Sequence, residues 1–153
     1  MKTPIPPTDA ALTPVPTQRS LPMSLLRARE AVMSHFRPML DAHGVNEQQW
    51  RVIRVLAEQG QMDASEVAER ANILAPSLTR MIRAMAERGL ITRTRDTNDA
   101  RRVILTIAPA GTALLHKVTP HSARIYADLE QRFGHSQMEH LTDLLDALSK
   151  LKA

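Results

Sequence analysis

The chain of 153 residues carries a formal net charge of +4 and contains no cysteine. The missing cysteines exclude disulfides, thiolate metal sites and thiol-based catalysis. Because aromatic residues make up only 3% of the chain, the core is expected to consist of Leu, Ile, Val, Met and Ala, a set that favours helices. No apolar run reaches the length of a membrane span and no signal-peptide core is present, so we expect a cytoplasmic protein. The high isoelectric point favours a polyanionic partner.

The N-terminal third is predicted to contain a disordered tail and two helices. Residues 1–19 hold five prolines among small and polar residues and have little to bury. A first helix is predicted from Ser20 to about His43, because apolar residues recur there at helical spacing. Asn46 and Gln49 have the spacing of a capping box, which predicts the start of a second helix.

Two short helices are predicted next. Asp63 and Glu66 have capping-box spacing and open a helix over Ala64–Ala71. Asn72 is a favourable left-handed terminator for that helix. A tight turn then leads to a second helix, with Pro76 in its first turn. The pattern is that of a helix–turn–helix.

The second helix of this pair is predicted to expose a polar face. Leu78, Ile82 and Met85 recur at i, i+4 and i+7 and point inward. Arginine can pair bidentately with guanine, while serine and threonine suit phosphates or base edges. The predicted DNA-contacting residues of this helix are Ser77, Thr79, Arg80 and Arg83.

The period then changes to that of β-strands. Residues 90–95 and 102–107 are predicted to pair as a hairpin through a turn at 96–101, which is rich in Asp, Thr and Asn. The hairpin carries several arginines, which repel one another at so short a distance unless an anion neutralises them. The narrow minor groove of DNA is such an anion, because it attracts an inserted arginine. Asp99 is expected to accept hydrogen bonds from Arg101 and to hold it in one direction. The predicted DNA-contacting residues of this wing are Arg93, Arg95, Asp99, Arg101 and Arg102.

The positive charge of the chain is concentrated in residues 75–102. Seven arginines there face three carboxylates, and this excess equals the formal net charge of the whole chain. The remaining residues therefore sum to zero charge. A basic patch confined to one helix and one hairpin is the electrostatic footprint of a surface that binds a nucleic-acid duplex.

The C-terminal part is predicted to return to helix. One long helix spans about Pro109–Arg132, and a last helix starts at Ser136 with Glu139 as its capping-box partner. The last helix repeats apolar residues at an a/d-like spacing. Such a seam is too apolar to stay exposed, so a dimer is predicted.

These residues resemble the MarR family of transcriptional regulators. The resemblance extends over about residues 20–150. It is carried by Ala-Ser-Glu-Val-Ala-Glu-Arg-Ala at 64–71, Ser-Leu-Thr-Arg-Met-Ile at 77–82, Glu-Arg-Gly-Leu-Ile at 87–91 and Asp-Ala-Arg at 99–101. Segments 19–33 and 47–51 further resemble the subgroup that represses operons for the degradation of homoprotocatechuate (4-hydroxyphenylacetate).

The resemblance implies a mainly α fold with a small β-hairpin wing. A winged helix–turn–helix at 46–108 would bind DNA, and helices at 20–45 and 109–153 would form an obligate homodimer. The recognition helices would enter successive major grooves of a pseudo-palindromic operator, and a small aromatic acid would release the DNA. By motif match the recognition-helix contacts would be Ser77, Thr79, Arg80 and Arg83, with Arg101 in the minor groove.

An effector site is suggested by arginines beside apolar residues. Arg29 falls within the apolar stripe of the first helix, and burying an unpaired arginine is costly. One hypothesis is a pocket in which Arg29 or Arg54 binds a carboxylate beside Trp50, with His35 at its edge. The alternative is that Arg29 forms an ion pair at the dimer seam. The candidate partners for that pair are Asp143 and Asp146.

Other classes of function find little support in the chain. Two histidine pairs are spaced i, i+5, which does not place both side chains on one helix face, so neither a metal nor a cofactor is predicted. No set of nucleophile, base and orienting group predicts an enzyme. The main alternative is a sequence-tolerant architectural protein that coats or bends DNA without a ligand switch.

Overall fold

The computed structural model describes residues 14–153. Within this range lie the helices α1 (Leu21–Ala42), α2 (Glu47–Gln59), α3 (Ala64–Ala71), α4 (Ala75–Glu87), α5 (Pro109–Phe133) and α6 (His135–Ser149). The strands β1 (Met62–Asp63), β2 (Ile91–Arg95) and β3 (Val103–Ile107) form an antiparallel sheet in the order β1-β3-β2. The expected fold class, mainly α with a small β wing, is confirmed.

Two compact units make up the chain, one ending at His35 and the other spanning Phe36–Ala153. No helix in the described range is long and apolar enough to cross a bilayer. Residues 1–13 of the predicted tail lie outside that range. Thr17–Arg19, which was predicted to be disordered, forms a single 3-10 turn. The turn closes locally, because the backbone N–H of Arg19 donates to the carbonyl of Pro16 at 2.9 Å.

The caps of α2 and α3 come from the polar residues before them. Asn46 and Gln49 exchange side-chain to backbone hydrogen bonds of 2.8 and 3.1 Å, which confirms the predicted capping box. At α3 only half of the predicted box forms. Oδ1 of Asp63 accepts from the backbone N–H of Glu66 at 2.9 Å. The carboxylate of Glu66 instead pairs with Arg70 at 3.1 Å, one turn further along.

The turn between α3 and α4 has the predicted geometry. Asn72 ends α3 in the left-handed conformation, with φ of 54°. The backbone N–H of Ile73 then donates to the carbonyl of Ala68 at 2.9 Å, which reverses the chain. Leu74 is the N-cap residue of α4, and proline follows in the first turn as predicted. The turn thereby joins α3 to α4 without an intervening loop.

An aliphatic core fills the space between α2, α3, α4 and the sheet. Its composition confirms the expected set of residue types, and the inward residues predicted on α4 are all buried. The fully buried side chains include Ile53, Leu56, Val67, Leu78, Met85, Ile91 and Leu105.

The wing has a third strand that the sequence analysis missed. β1 pairs with β3 in the register Met62 to Leu105 and Asp63 to Ile104. A strand of two residues is too short to produce a period, so pattern analysis cannot detect it. The strand places the beginning of α3 directly beside the hairpin.

The first turn of α5 packs closely on the base of the hairpin. The N-cap residue Ala108 has no side-chain cap, and Pro109 begins the helix. The backbone N–H of Ala108 donates to the carbonyl of Leu90 at 3.0 Å. Gly111 is buried against the same carbonyl, where a Cβ atom would lie 2.2 Å from the oxygen. Only glycine fits this approach.

The predicted start of α6 is wrong. The helix begins at His135 after Gly134, and no side chain caps it. Glu139 is drawn to the imidazole instead of the backbone: Nε2 of His135 lies 3.3 Å from its Oε1, and Nδ1 lies 3.2 Å from Oε2 of Glu130. The hydrogen bond with Glu130 raises the pKa of His135 above its ordinary value, with the charge of Glu139 acting in the same direction.

Candidate nucleic-acid interface

The outer face of α4 carries the four predicted contact residues. Thr79, Arg80 and Arg83 are exposed, and Ser77 is half-buried. The hydroxyl of Thr79 donates to the carbonyl of Ala75 at 3.0 Å, so its oxygen is left to accept a hydrogen bond. Nη2 of Arg80 lies 3.4 Å from Oγ of Ser77, one turn earlier. Structurally, α4 offers two guanidinium groups and two hydroxyls to a partner.

Arg83 has an acidic neighbour that the sequence analysis did not single out. Its Nε lies 3.1 Å from Oε1 of Glu87, and the Arg83 side chain is 78% exposed. The i, i+4 spacing was a signal for this pair. Because both groups are well solvated, the pair is weak, and Arg83 can exchange Glu87 for another acceptor at small cost.

The tip of the wing presents Arg101 to solvent. Oδ1 of Asp99 accepts hydrogen bonds from the backbone N–H of Arg101 at 3.0 Å and from its Nε at 3.3 Å. The expected local pairing is confirmed. The Arg101 side chain remains 93% exposed. A cation held in one direction at the end of a hairpin suits insertion into a narrow groove.

Two of the predicted wing contacts, Arg95 and Arg102, also have partners within the folded chain. Nη2 of Arg102 lies 3.0 Å from Oδ2 of Asp63, and its Nη1 lies 3.1 Å from Oδ2 of Asp96. Nη1 of Arg95 donates to the carbonyl of Ala100 at 2.8 Å. The side chain of Arg102 therefore bridges the start of α3 and the hairpin. The sequence pattern does not distinguish these two arginines from Arg101, whereas their internal partners do.

Arg93 faces a groove between α4 and the hairpin. The groove has a volume of about 420 Å³. Among the described residues Arg93 makes no ion pair or side-chain hydrogen bond, so its guanidinium is available to an anion. The other lining residues are Ala64, Thr79, Ile82, Thr94, Arg95 and Val103.

Asp63 at the base of the wing has a lowered pKa. The backbone hydrogen bond from Glu66 is the largest cause, and the hydrogen bond from Arg102 adds to it against the opposing effect of burial. A carboxyl whose pKa is lowered on folding stabilises the fold above its ordinary pKa and loses this contribution as the pH falls through its folded pKa. The pairing with Arg102 is thus expected to weaken in acid.

Replacing Asp63 by asparagine is expected to reduce stability at neutral pH by about 1 kcal/mol or less, because asparagine still caps α3 but cannot form the ion pair with Arg102. The difference between wild type and Asp63→Asn should shrink as the pH falls below about 4, the ordinary pKa of aspartate. Urea denaturation of both proteins at a series of pH values measures this difference in the free energy of unfolding. A difference that is constant across this range would contradict the role of the carboxylate.

The residues predicted for an effector lie on α1 and α2. On α1, Arg29 is about half-exposed, with Nη1 3.7 Å from Oε1 of Glu30, and His35 is exposed. On α2, Trp50 packs half-buried against the core. Nε of Arg54 lies 3.1 Å from Oε1 of Glu58.

An open groove of about 600 Å³ lies between α2 and α5 beside Arg54. Its lining combines a cation, an imidazole and apolar atoms, which suits a small molecule with one acidic group. Asp146 on α6, one of the two candidate partners for Arg29, pairs with Lys150 just after the end of that helix, with 2.8 Å between Oδ2 and Nζ. The lining residues of the groove are Arg54, Ala57, Glu58, Leu115, His116, Thr119 and Pro120.

An exposed basic helix, a capped turn and an arginine-tipped hairpin define a winged helix–turn–helix DNA-binding protein. Residues 45–103 match the MarR family. The chain is 41% identical over 127 residues to the homoprotocatechuate degradative operon repressor of Escherichia coli, a match that covers 83% of this chain and 86% of that repressor. This chain belongs to the MarR family of transcriptional regulators.

Two further comparisons agree with membership of this family. The HTH-type transcriptional regulator FarR of Neisseria gonorrhoeae is 38% identical over 141 residues, covering 90% of this chain and 97% of FarR. The crystal structure of NadR in complex with 4-hydroxyphenylacetate matches with a TM-score of 0.77 at 37% identity, covering 92% of this chain and all of NadR (100%). The relatives from E. coli and N. gonorrhoeae are regulators of transcription rather than enzymes.

Proposed function

We propose that this chain is a homodimeric repressor of an operon for the catabolism of an aromatic acid of the homoprotocatechuate or 4-hydroxyphenylacetate class. The observation that carries the proposal is the identity to the E. coli repressor over most of both chains. The likeness to NadR, which was crystallised with 4-hydroxyphenylacetate, supports the same class of effector. As a repressor the protein would act on DNA in the cytoplasm.

Exposed apolar side chains support the dimer. Leu141, Leu144 and Leu145 on α6 are exposed, with Leu144 54% exposed, and Tyr126 and Phe133 on α5 are similar. The three leucines of α6 stand at i, i+3 and i+4 and so share one helix face, and an exposed apolar face of this kind is unusual on a monomer. We therefore assign residues 20–45 and 109–153 to dimerisation and residues 46–108 to DNA binding.

A two-fold dimer would present two copies of α4 to the duplex. The operator is then pseudo-palindromic, with half-sites about 10 bp apart. In each half-site α4 would read the major groove, while the wing tip with Arg101 and Asp99 would enter the adjacent minor groove. We assign Arg95 and Arg102 to holding the wing, on the basis of their internal partners. The proposed direct contacts are Ser77, Thr79, Arg80, Arg83, Arg93 and Arg101.

The groove between α2 and α5 is the proposed site of the acid. A phenylacetate needs a cation for its carboxylate and an apolar wall for its ring. Arg54 supplies the cation if it leaves Glu58, and Leu115 and Pro120 supply apolar atoms for the ring. Trp50, one helical turn before Arg54, packs against the core and does not line this groove. For Arg29 and His35 on α1, a contact with the effector stays a prediction from the sequence. Binding of the acid would favour a spacing of the two α4 helices that does not fit successive major grooves. Coupling of this kind typically changes the affinity for DNA by about 5- to 150-fold.

The test is a fluorescence anisotropy titration of operator duplex, selected from a randomised pool, with and without a panel of hydroxyphenylacetates and hydroxybenzoates. One acid is expected to lower operator affinity about 5- to 150-fold. Arg54→Gln should abolish that response with operator affinity unchanged in the absence of acid, and Glu58→Gln should strengthen it by releasing Arg54.

The architectural alternative makes the opposite prediction. A protein that only coats or bends DNA would bind the selected duplex and a random competitor almost equally, and no acid would change its affinity. Both results together would reject the proposed function.

A further inference from the structure

A polar network joins three helices next to the turn of the helix–turn–helix. Nε of Arg51 on α2 donates to the carbonyl of Ala71 at 2.7 Å, and its Nη2 makes a longer contact of 3.5 Å with the carbonyl of Asn72. Nη1 of Arg51 lies 3.6 Å from Oε2 of Glu47, one turn earlier. Oε1 of Glu47 lies 3.3 Å from Nη2 of Arg37 near the end of α1. The network runs from α1 through α2 to the end of α3.

The two carbonyls that Arg51 contacts belong to the point at which the chain reverses. Ala71 is the last residue of α3, and Asn72 follows in the left-handed conformation. Carbonyls at a helix C-terminus lack helical partners and carry partial negative charge, so a guanidinium group satisfies them well. Leu74, two residues after Asn72, already caps α4. Arg51 therefore ties the turn that orients α4 to α2.

The same helix carries the proposed effector residue Arg54, three residues after Arg51. An α-helix of this length moves as a rigid element, so a ligand that draws Arg54 away from Glu58 acts on the element to which Arg51 is attached. A displacement of α2 would reach the turn through a short, charge-assisted hydrogen bond.

We propose that Arg51 is a positioning residue that transmits a displacement of α2 through the helix–turn–helix turn to the reading helix α4. The proposal rests on the proposed function, because it takes α2 as the helix that holds the effector. Without the guanidinium, water would hydrate the carbonyls of Ala71 and Asn72, and the turn would no longer follow α2. The acid would still bind but would lower operator affinity much less.

The experiment compares Arg51→Met with Arg51→Lys and with the control Arg70→Met. Arg70 lies on α3 near the same turn, but it pairs with Glu66 in its own helix, so its replacement removes the same charge without releasing the turn. Operator affinity is measured with and without 4-hydroxyphenylacetate, binding of the acid alone is measured by calorimetry, and thermal unfolding is recorded. Because the chain contains no cysteine, a spin label on Leu74→Cys, at a side chain that is 77% exposed, reports the mobility of the turn.

In Arg51→Met the acid is expected to bind as in wild type, while its effect on operator affinity falls from about 5- to 150-fold to less than about twofold. The spin label should become more mobile in this variant, regain order in Arg51→Lys and stay unchanged in Arg70→Met. A lower unfolding temperature with an unchanged effector response and an unchanged label would overturn the proposal.

Failure of the proposed function gives a different result. If wild-type protein does not respond to 4-hydroxyphenylacetate or the related acids, the effector assignment is rejected. The label then decides for Arg51: greater mobility in Arg51→Met than in Arg70→Met supports its hold on the turn, and equal mobility overturns it.

Discussion

Replacing Arg83 by alanine is expected to weaken operator binding by about 1–3 kcal/mol, or roughly 5- to 150-fold, and to relax the sequence preference at one position of each half-site. The side chain stands on the exposed face of α4, and its only hydrogen-bond partner among the described residues is the solvated carboxylate of Glu87. Bidentate pairing with a guanine edge would replace that weak pair by two directed hydrogen bonds. Anisotropy titrations with operator and with random duplex measure the effect.

The control for this prediction is Arg88→Ala. Arg88 has the same charge and lies at the C-terminal end of the same helix. Its guanidinium approaches the turn at Gly44, where Nη2 would lie 3.2 Å from an added Cβ atom. The control should therefore lose little affinity for either duplex. Equal losses of Arg83→Ala on operator and on random DNA would contradict base reading by Arg83.

Gly111→Ala is expected to destabilise the protein by about 3 kcal/mol, the upper part of the range for overpacking in a core. An alanine Cβ would lie 2.2 Å from the carbonyl oxygen of Leu90 and 3.0 Å from Cγ1 of Ile107. The oxygen belongs to the backbone at the start of the hairpin and cannot move aside as a flexible side chain can. For a chain of this size the unfolding temperature should fall by roughly 6–12 °C.

Gln48→Ala provides the control, because Gln48 is exposed in the first turn of α2, outside the segments assigned to dimerisation, and alanine and glutamine both favour helices. This variant should unfold within about 1 °C of wild type, because surface substitutions change stability little. Differential scanning calorimetry measures both variants. If Gly111→Ala were as stable as wild type, the close approach of α5 to the hairpin would be wrong.

The sequence predicted those elements that depend on local chemistry. The capping pair Asn46 and Gln49, the left-handed Asn72 and the buried spacing on α4 each involve residues within one or two turns of one another. Residue type and spacing therefore suffice to predict them. The pairing of Asp99 with Arg101 was predictable for the same reason.

The features that the sequence did not predict depend on partners distant in the chain or on competing partners. Arg102 looked equivalent to Arg101, yet Asp63, 39 residues earlier, binds it. β1 exists only because β3 is beside it. At α6, both the helix N-terminus and the imidazole of His135 lie within reach of Glu139. The spacing of the residues alone could not show that Glu139 would pair with His135.

The three-stranded sheet has a consequence for the DNA that this protein can accept. β1 binds the hairpin to the start of α3, and the Asp63–Arg102 pair closes the same junction. Because α3 leads directly into α4, we expect the recognition helix and the wing to keep a fixed distance from each other. In an operator bound as proposed, the bases within each half-site must keep a constant spacing from the flanking minor groove. Only the segment between the two half-sites can vary in length, and only as far as the dimer can adjust.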